Sequence, residues 1–453
     1  VRYTPSSQRE QIEMLRAIGA EEFDDLLEGI PEHLRMAGPI PIPEGLSEPE
    51  VRARIEELAS RNQGTSRLVC FAGGGAYDHF IPAAIDSVVS RSEYTTAYTP
   101  YQSEVSQGTL QVIYEFQSLV AELTGMEVAN ASLYDGAHAL AEGMLLAYST
   151  RGRERVVVSM GVNPHYRKLL ETYAAGLQIE LVTVGLDDRG RTDIGGLQRA
   201  LSEPASAVIF SQPNFFGCLE DPAELVEAAR SVDADKPPLV VTSVYPISLG
   251  LLAPPGHWGA DVATAEGQSL GLPLSLGGPY LGLFACRSEH IRRMPGRLIG
   301  RTVDCDGREA FVMTLQTREQ HIRRAKATSN ICTNQGLCAT WSTVYMTLLG
   351  PGGLAEVAQQ CAGKAHYLAG ELTKIPGVEL TFPDTPFFNE FTLSLSKEPR
   401  SVLEELTGAG FLGGIHLSRF AADMPGDLAV AVTERRTRSE LDAFAGALAR
   451  AMA

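Results

Sequence analysis

Apolar positions along the chain change their period. Ile113, Phe116, Leu119, Val120 and Leu123 recur at three- and four-residue spacing, which predicts an amphipathic helix over 111–124, closed by Gly125. A second helix, rich in alanine and leucine, is expected from the turn at Tyr134-Asp135-Gly136 to about Tyr148. From Arg155 the pattern becomes short continuous apolar runs separated by helical segments. Residues 156–158, 179–184, 207–210 and 239–242 read as strands, and 164–173, 193–201 and 222–231 as helices. That alternation predicts a mostly parallel sheet covered on both faces. Such sheets take ligands at strand carboxyl ends, here Gln212-Pro213-Asn214 and Ser243-Val244-Tyr245.

The flanking segments read differently. Ser7 with Glu10 forms a capping box that opens a short helix ended by Gly19. A turn of helix at 23–27, a proline-rich extended stretch at 38–43 and a helix over 48–60 complete an N-terminal arm. Gly73-Gly74-Gly75 matches neither phosphate-loop pattern and reads as a flexible turn. After Gly300 the sheet is expected to end. Helical phase returns over 334–349, breaks at Gly350-Pro351-Gly352-Gly353 and resumes over 354–374. Strands at 379–382, 390–395 and 428–432 and a last helix capped by Thr437 and Glu440 suggest a smaller α+β domain. The expected division is an arm at 1–65, a large α/β domain at 66–333, and linking helices with a small domain at 334–453.

Composition narrows the function classes. With 44% hydrophobic and 21% charged residues, the 453-residue chain is an ordinary globular protein. A net charge of −17 argues against nucleic acid or an anionic membrane as partner. The one basic concentration is Arg292, Arg293, Arg297, Arg301, Arg323, Arg324 and Lys326. It reads first as solvated surface and second as an anion or partner contact. Seven cysteines without C-x-x-C or metal-ligand spacing suggest reduced thiols in a cytoplasm and no metal. No leader-like apolar segment opens the sequence, and no apolar run reaches the ~18 residues of a membrane span.

One polar stretch stands apart. Tyr94 to Leu110 carries Tyr94, Tyr98 and Tyr101 among threonines, serines and glutamines. Such a segment either meets a ligand or partner or is a plain surface loop. Its core, Y-T-P-Y-Q-S-E-V-S-Q-G, resembles the N-terminal signature of the glycine cleavage system P-protein family. The similarity continues through Ala129-Asn130-Ala131-Ser132-Leu133 and Lys326 to Cys332 (K-A-T-S-N-I-C), over nearly the whole chain. Ser103 stands where that family commonly has Pro, and Ala325 where Glu is usual. The length suits the first subunit of the split form.

That resemblance implies the aspartate-aminotransferase-like fold (fold type I) of pyridoxal-phosphate enzymes, with a large sheet domain and a smaller C-terminal one. Such a site needs a lysine to bond the cofactor and an acid beside the pyridine nitrogen. By spacing to Pro273 and Gly277, Gln268 occupies the lysine position, and Tyr245 stands where Asp is usual. The chain has six lysines: Lys168, Lys236, Lys326, Lys364, Lys374 and Lys397. Lys326 is the one rival. The resemblance therefore implies no catalytic residue in this chain alone. It implies a glycine decarboxylase subunit 1, paired in an α2β2 heterotetramer with a subunit 2 that holds pyridoxal phosphate covalently. The aminomethyl product passes to the lipoyl arm of H-protein. Thr328, Ser329, Asn330 and Thr333 are candidates to contact the partner-held cofactor phosphate; a simple helix cap accounts for the same residues. Tyr98, Tyr101, Gln102 and Gln107 are candidates for a substrate or lipoyl channel, or for an interface without chemistry. His79 and His138 read as structural histidines. The alternatives are a self-sufficient pyridoxal-phosphate lyase or transferase using Lys326, and an inactive scaffold or regulatory subunit.

Overall fold

The computed structural model describes residues 5–38, 40–233, 235–421 and 424–453. The chain divides into two compact units, residues 1–63 and 64–453.

In the first unit, helix α1 (Gln8–Ala17) starts at the expected capping box, the Ser7 hydroxyl and the Glu10 carboxylate each bonding the other residue's backbone. Helix α2 (Glu48–Ala59) starts on a second one, Ser47 with Glu50. Neither helix buries a residue fully. In the proline-rich stretch, residues 40–43 form neither helix nor strand, and Pro39 lies outside the described residues.

The second unit is built on helix α3 (Gln107–Thr124), helix α4 (Gly136–Arg151), helix α5 (Pro164–Leu177) and a seven-stranded sheet. Its strands are β1 (Val128–Ala129), β2 (Arg155–Ser159), β3 (Glu180–Val184), β4 (Ala207–Gln212), β5 (Leu239–Val244), β6 (Val262–Glu266) and β7 (Gly282–Cys286). They lie in the order β1-β7-β6-β5-β4-β2-β3, with β7 alone antiparallel to its neighbours. Period-two alternation splits the buried side chains between two cores. Val157, Val208, Phe210 and Val240 pack with Phe116 and Val120 of α3; Val156, Val158, Ile209 and Val241 pack with Leu140 and Met144 of α4 and Leu170 of α5. Both faces are covered, which is why these strands read as continuous apolar runs.

Residues 298–314 differ from expectation. They form an antiparallel ribbon, β8 (Leu298–Val303) with β9 (Glu309–Thr314). Its turn is organised by Asp304, whose Oδ1 accepts the N–H groups of Asp306 and Arg308. The polar outer residues of the ribbon hide its strand pattern in the sequence.

Helix α6 (Gly336–Leu372) follows. Gly350 leaves helical geometry at φ +61° and Pro351 comes next, so the two expected helices meet at a kink. Strands β10 (Val378–Leu380), β11 (Glu390–Leu395), β12 (Ile415–His416) and β13 (Asp427–Ala431) form an antiparallel sheet in the order β10-β11-β13-β12. It packs on α6 and the last helix α7 (Arg438–Met452), with Phe391, Leu393, Val430 and Phe444 in its core. Among the described residues, no helix is long and apolar enough to cross a membrane.

Candidate functional site

The carboxyl ends of β4, β5 and β6 open onto a small cleft lined by Ser211, Asn214, Ser243, Tyr245, Glu266 and Glu390. Gln268 lies one residue into the turn after β6 and is buried. Its Oε1 accepts the Tyr77 N–H at 2.9 Å, and its Nε2 donates to the Tyr77 carbonyl at 3.1 Å and the Leu272 carbonyl at 2.8 Å. Both amide N–H groups and the carbonyl oxygen are therefore used on backbone. The side chain acts as a clip between the end of β6 and the loop after Gly75.

Glu266, the last residue of β6, reaches the start of α4. Its Oε2 accepts the Gly136 N–H at 2.9 Å, and its Oε1 accepts those of Gln268 and Leu281 at 2.9 and 3.0 Å. The first turn of a helix carries unpaired N–H groups and the positive end of its dipole, the usual seat of a bound anion. Here a carboxylate from the same chain takes part of that seat. Gly136 is required for the approach: a Cβ there would lie 2.6 Å from the Tyr166 hydroxyl and 2.9 Å from the Glu266 backbone N. Burial pushes the Glu266 carboxyl up to about 8, although its three N–H partners pull the other way. Glu390 is similar: Gly74 N–H and the Tyr77 hydroxyl donate to it at 2.8 Å each, and burial pushes it up to about 7. Neither acid has an ion-pair partner among the described residues. Gly74 and Gly75 are thus a fixed wall of the cleft, tied down at Gly74, and not a free turn.

Tyr245 fills the expected acid position as a half-buried phenol. Its hydroxyl meets His79 Nε2, and His79 Nδ1 faces the Glu434 carboxylate at 2.6 Å. His79 is therefore a fully partnered core histidine. The remaining cavity is about 60 Å³, below the roughly 300 Å³ at which small-molecule pockets begin. A neighbouring cleft of about 480 Å³, lined by Asp135, His138, His165, Tyr166 and Tyr280, adjoins it. There His138 Nδ1 lies 2.8 Å from the Asp135 carboxylate.

The two polar segments singled out in the sequence, around Tyr101 and around Asn330, converge on Arg297. Its Nη2 donates to the Cys332 carbonyl at 2.7 Å and its Nη1 to Asn334 Oδ1 at 3.1 Å. The guanidinium lies 5.8 Å from the Tyr101 ring centre, and His321 meets that ring edge-on. Asn334 Nδ2 donates in turn to the Ala131 carbonyl and to Ser132 Oγ. Ser132 holds a φ of +112°, rare for a residue with a Cβ, and its N–H is pinned by Asn130 Oδ1. The three motifs of the resemblance thus meet through hydrogen bonds and ring contacts.

The candidate residues fare differently within this framework. Thr328, Asn330 and Thr333 make no side-chain hydrogen bond to any of the described residues, and Asn330 is exposed. Ser329 is turned inward: its Oγ accepts the Ile331 N–H at 3.1 Å and faces the buried Glu142, whose carboxyl burial pushes up to about 7. Tyr98 is 92% exposed and Tyr101 54% exposed. Gln102 is exposed, with its amide unbonded. Gln107 instead closes on β9, accepting the Phe311 N–H and donating to the Phe311 carbonyl at 2.9 Å each. Lys326 is exposed. Arg297 corrects the surface reading given to the basic cluster: it is 4% exposed. Its flanks, Met294-Pro295-Gly296 and Leu298-Ile299, were the available signal, in contrast to the charged pair Arg292-Arg293. Glu266, Glu390 and Tyr77 were missed because their partners are distant in sequence.

Comparison with known proteins places this geometry. A family model for the glycine cleavage system P-protein matches residues 1–448. A curated relative from Moorella thermoacetica, "probable glycine dehydrogenase (decarboxylating) subunit 1", is 48% identical over 446 residues, 98% of this chain and 98% of that protein. A solved glycine decarboxylase (P-protein) of the glycine cleavage system, in inhibitor-bound form, is 42% identical and covers 100% of both chains with a TM-score of 0.88. A glutamate decarboxylase from Lactobacillus brevis, 14% identical, shares the fold at a TM-score of 0.68 over 92% of this chain and 95% of its own.

Proposed function

Because the chain belongs to the glycine cleavage system P-protein family, with the fold-type-I architecture of that family's solved structure, we propose that it is the subunit without a cofactor-bonding lysine in a two-chain glycine decarboxylase. The observation that carries this reading is Gln268. It stands at the strand end where a cofactor-bonding lysine is needed, and its amide is consumed by Tyr77 and Leu272. A neutral amide cannot form the covalent link.

The cleft of this chain does not fit pyridoxal phosphate. It lacks a lysine at the end of β6, the helix start is taken by Glu266, and among the described residues no lysine or arginine lines the cleft to pair with a phosphate. The cofactor belongs to a second, lysine-bearing subunit. When bound there it supplies an electron sink for decarboxylation of glycine. This chain contributes positioning. Thr328, Asn330 and Thr333 offer side chains unused within the chain, and the Ser329 turn holds their loop. Thr328, Asn330 and Thr333 face the partner-held cofactor phosphate, and Ser329, turned inward, orders the loop that presents them. Tyr98, Tyr101 and Gln102 present an amphipathic surface to the substrate or lipoyl channel, and Gln107 fixes that segment to β9. The arm at 1–65, the large domain at 66–333 and the small domain at 334–453 assemble in a cytoplasmic α2β2 heterotetramer that transfers the aminomethyl group to the lipoyl arm of H-protein.

The test is reconstitution. The chain alone exchanges no CO2 with glycine, and adding the lysine-bearing subunit restores exchange. Full activity of the second subunit alone, unchanged by this chain, would overturn the reading.

A further inference from the structure

Resting on that reading, we propose that Arg297 supplies the fixed positive charge of an oxyanion site that the 328–333 loop completes against the phosphate of the partner-held cofactor. The argument starts from what Arg297 lacks. Its guanidinium is buried, and its partners among the described residues are all neutral: the Cys332 carbonyl, Asn334 Oδ1 and the Tyr101 ring. Its Nε is buried with no hydrogen-bond partner. Among the described residues no carboxylate pairs with it. A buried charge without a counter-charge is costly, and a low-dielectric surrounding carries its field further than water would. The missing anion therefore comes from outside the chain.

The loop above Arg297 is suited to receive it. Thr328, Asn330 and Thr333 are unbonded, while Arg297 holds the loop's far end at Cys332 and Asn334. Arg292 and Arg318 line a small cavity with Thr328 and Ser329; among the described residues Arg318 bonds only backbone carbonyls, of Met294 and Gly296. Two acids border the loop. Glu319, in that same cavity, pairs with His321 at 3.8 Å, and Glu142 is buried facing Ser329. Exposed Arg292, Arg293, Arg323, Arg324 and Lys326, none in an ion pair among the described residues, add a positive margin to a protein of net charge −17.

The experiment compares affinities of the assembled complex for pyridoxal phosphate and for pyridoxal, which lacks the phosphate. Arg297→Gln is expected to weaken pyridoxal phosphate about tenfold or more, with pyridoxal unchanged, as expected for loss of a charge-assisted contact. Asn334→Asp, which gives Arg297 an internal carboxylate, is expected to act in the same direction without removing the arginine, and Arg297→Lys to retain most of the preference. Equal loss for both ligands, or no loss in either Arg297→Gln or Asn334→Asp, would overturn the proposal. If neither variant assembles, the ³¹P resonance of the bound cofactor decides. A shift that stays flat from pH 5 to 8 supports a fixed cation; one that titrates near the ordinary phosphate pKa of about 6 refutes it. Thr328→Val and Asn330→Ala serve as the separate control. If they leave pyridoxal phosphate affinity intact while Arg297→Gln reduces it, the loop assignment fails and the charge assignment stands.

Discussion

The carboxylate of Glu266 accepts the backbone N–H of Gly136 at 2.9 Å, joining the last residue of β6 to the first of α4. That contact puts an internal carboxyl group on the helix-start N–H where a phosphate would dock. Gln268, two residues on, closes the other side by gripping Tyr77. Together they close the strand-end cleft from both sides, as the proposed assignment of the cofactor to a second subunit requires.

Restoring the lysine is therefore expected to fail. Gln268→Lys leaves the Tyr77 N–H without its acceptor and buries a charge beside Glu266. It should destabilise the chain by ~2–4 kcal/mol and create no borohydride-reducible adduct with pyridoxal phosphate. Thermal unfolding and peptide mapping check the two halves. A stoichiometric adduct at residue 268 would contradict the closed cleft.

Glu390 gives a pH prediction. Its carboxyl is pushed up to about 7 from the ordinary 4.5 by burial, so the folded state holds a proton that the unfolded state releases. The stability this contributes is full below about 4.5 and falls as pH rises through 7. Glu390→Gln keeps an acceptor for the Gly74 N–H and a donor for the Tyr77 oxygen without the titration. The variant should gain about 1–3 kcal/mol over the parent at pH 8.5 relative to pH 5.5. Parallel pH-stability curves would refute the assignment.

The free side chains of the loop should matter only in the complex. Thr328→Val and Asn330→Ala are expected to shift the stability of the isolated chain by less than ~0.5 kcal/mol. Each should slow glycine-dependent CO2 exchange of the assembled enzyme roughly ten- to hundredfold, the loss of one bond to a charged group. Unchanged exchange would leave the loop as a helix lead-in alone.

Tyr98 is 92% exposed, so Tyr98→Ala should leave unfolding of the chain unaltered. It should weaken assembly with the second subunit or raise the KM for glycine or for H-protein. Sedimentation and steady-state kinetics distinguish the two. No effect on any of them would remove Tyr98 from the interface.

Much of this was legible in the sequence. The parallel sheet showed as apolar runs because both faces are buried, and the capping boxes showed by their three-residue spacing. What stayed hidden depends on contacts across long separations. Glu266 meets Gly136 across 130 residues, and Glu390 meets Gly74 across 316. The β8–β9 ribbon was masked by its charged outer residues, and Arg297 by the surface arginines beside it. Periodicity reports burial of regular faces; it does not report a single charged side chain folded under a loop.

The most direct test of the central claim is an absorbance scan of the purified chain with added pyridoxal phosphate, before and after borohydride, followed by peptide mapping. The account predicts no reducible band and no stoichiometrically modified lysine. A band tied to one lysine, Lys326 included, would contradict it.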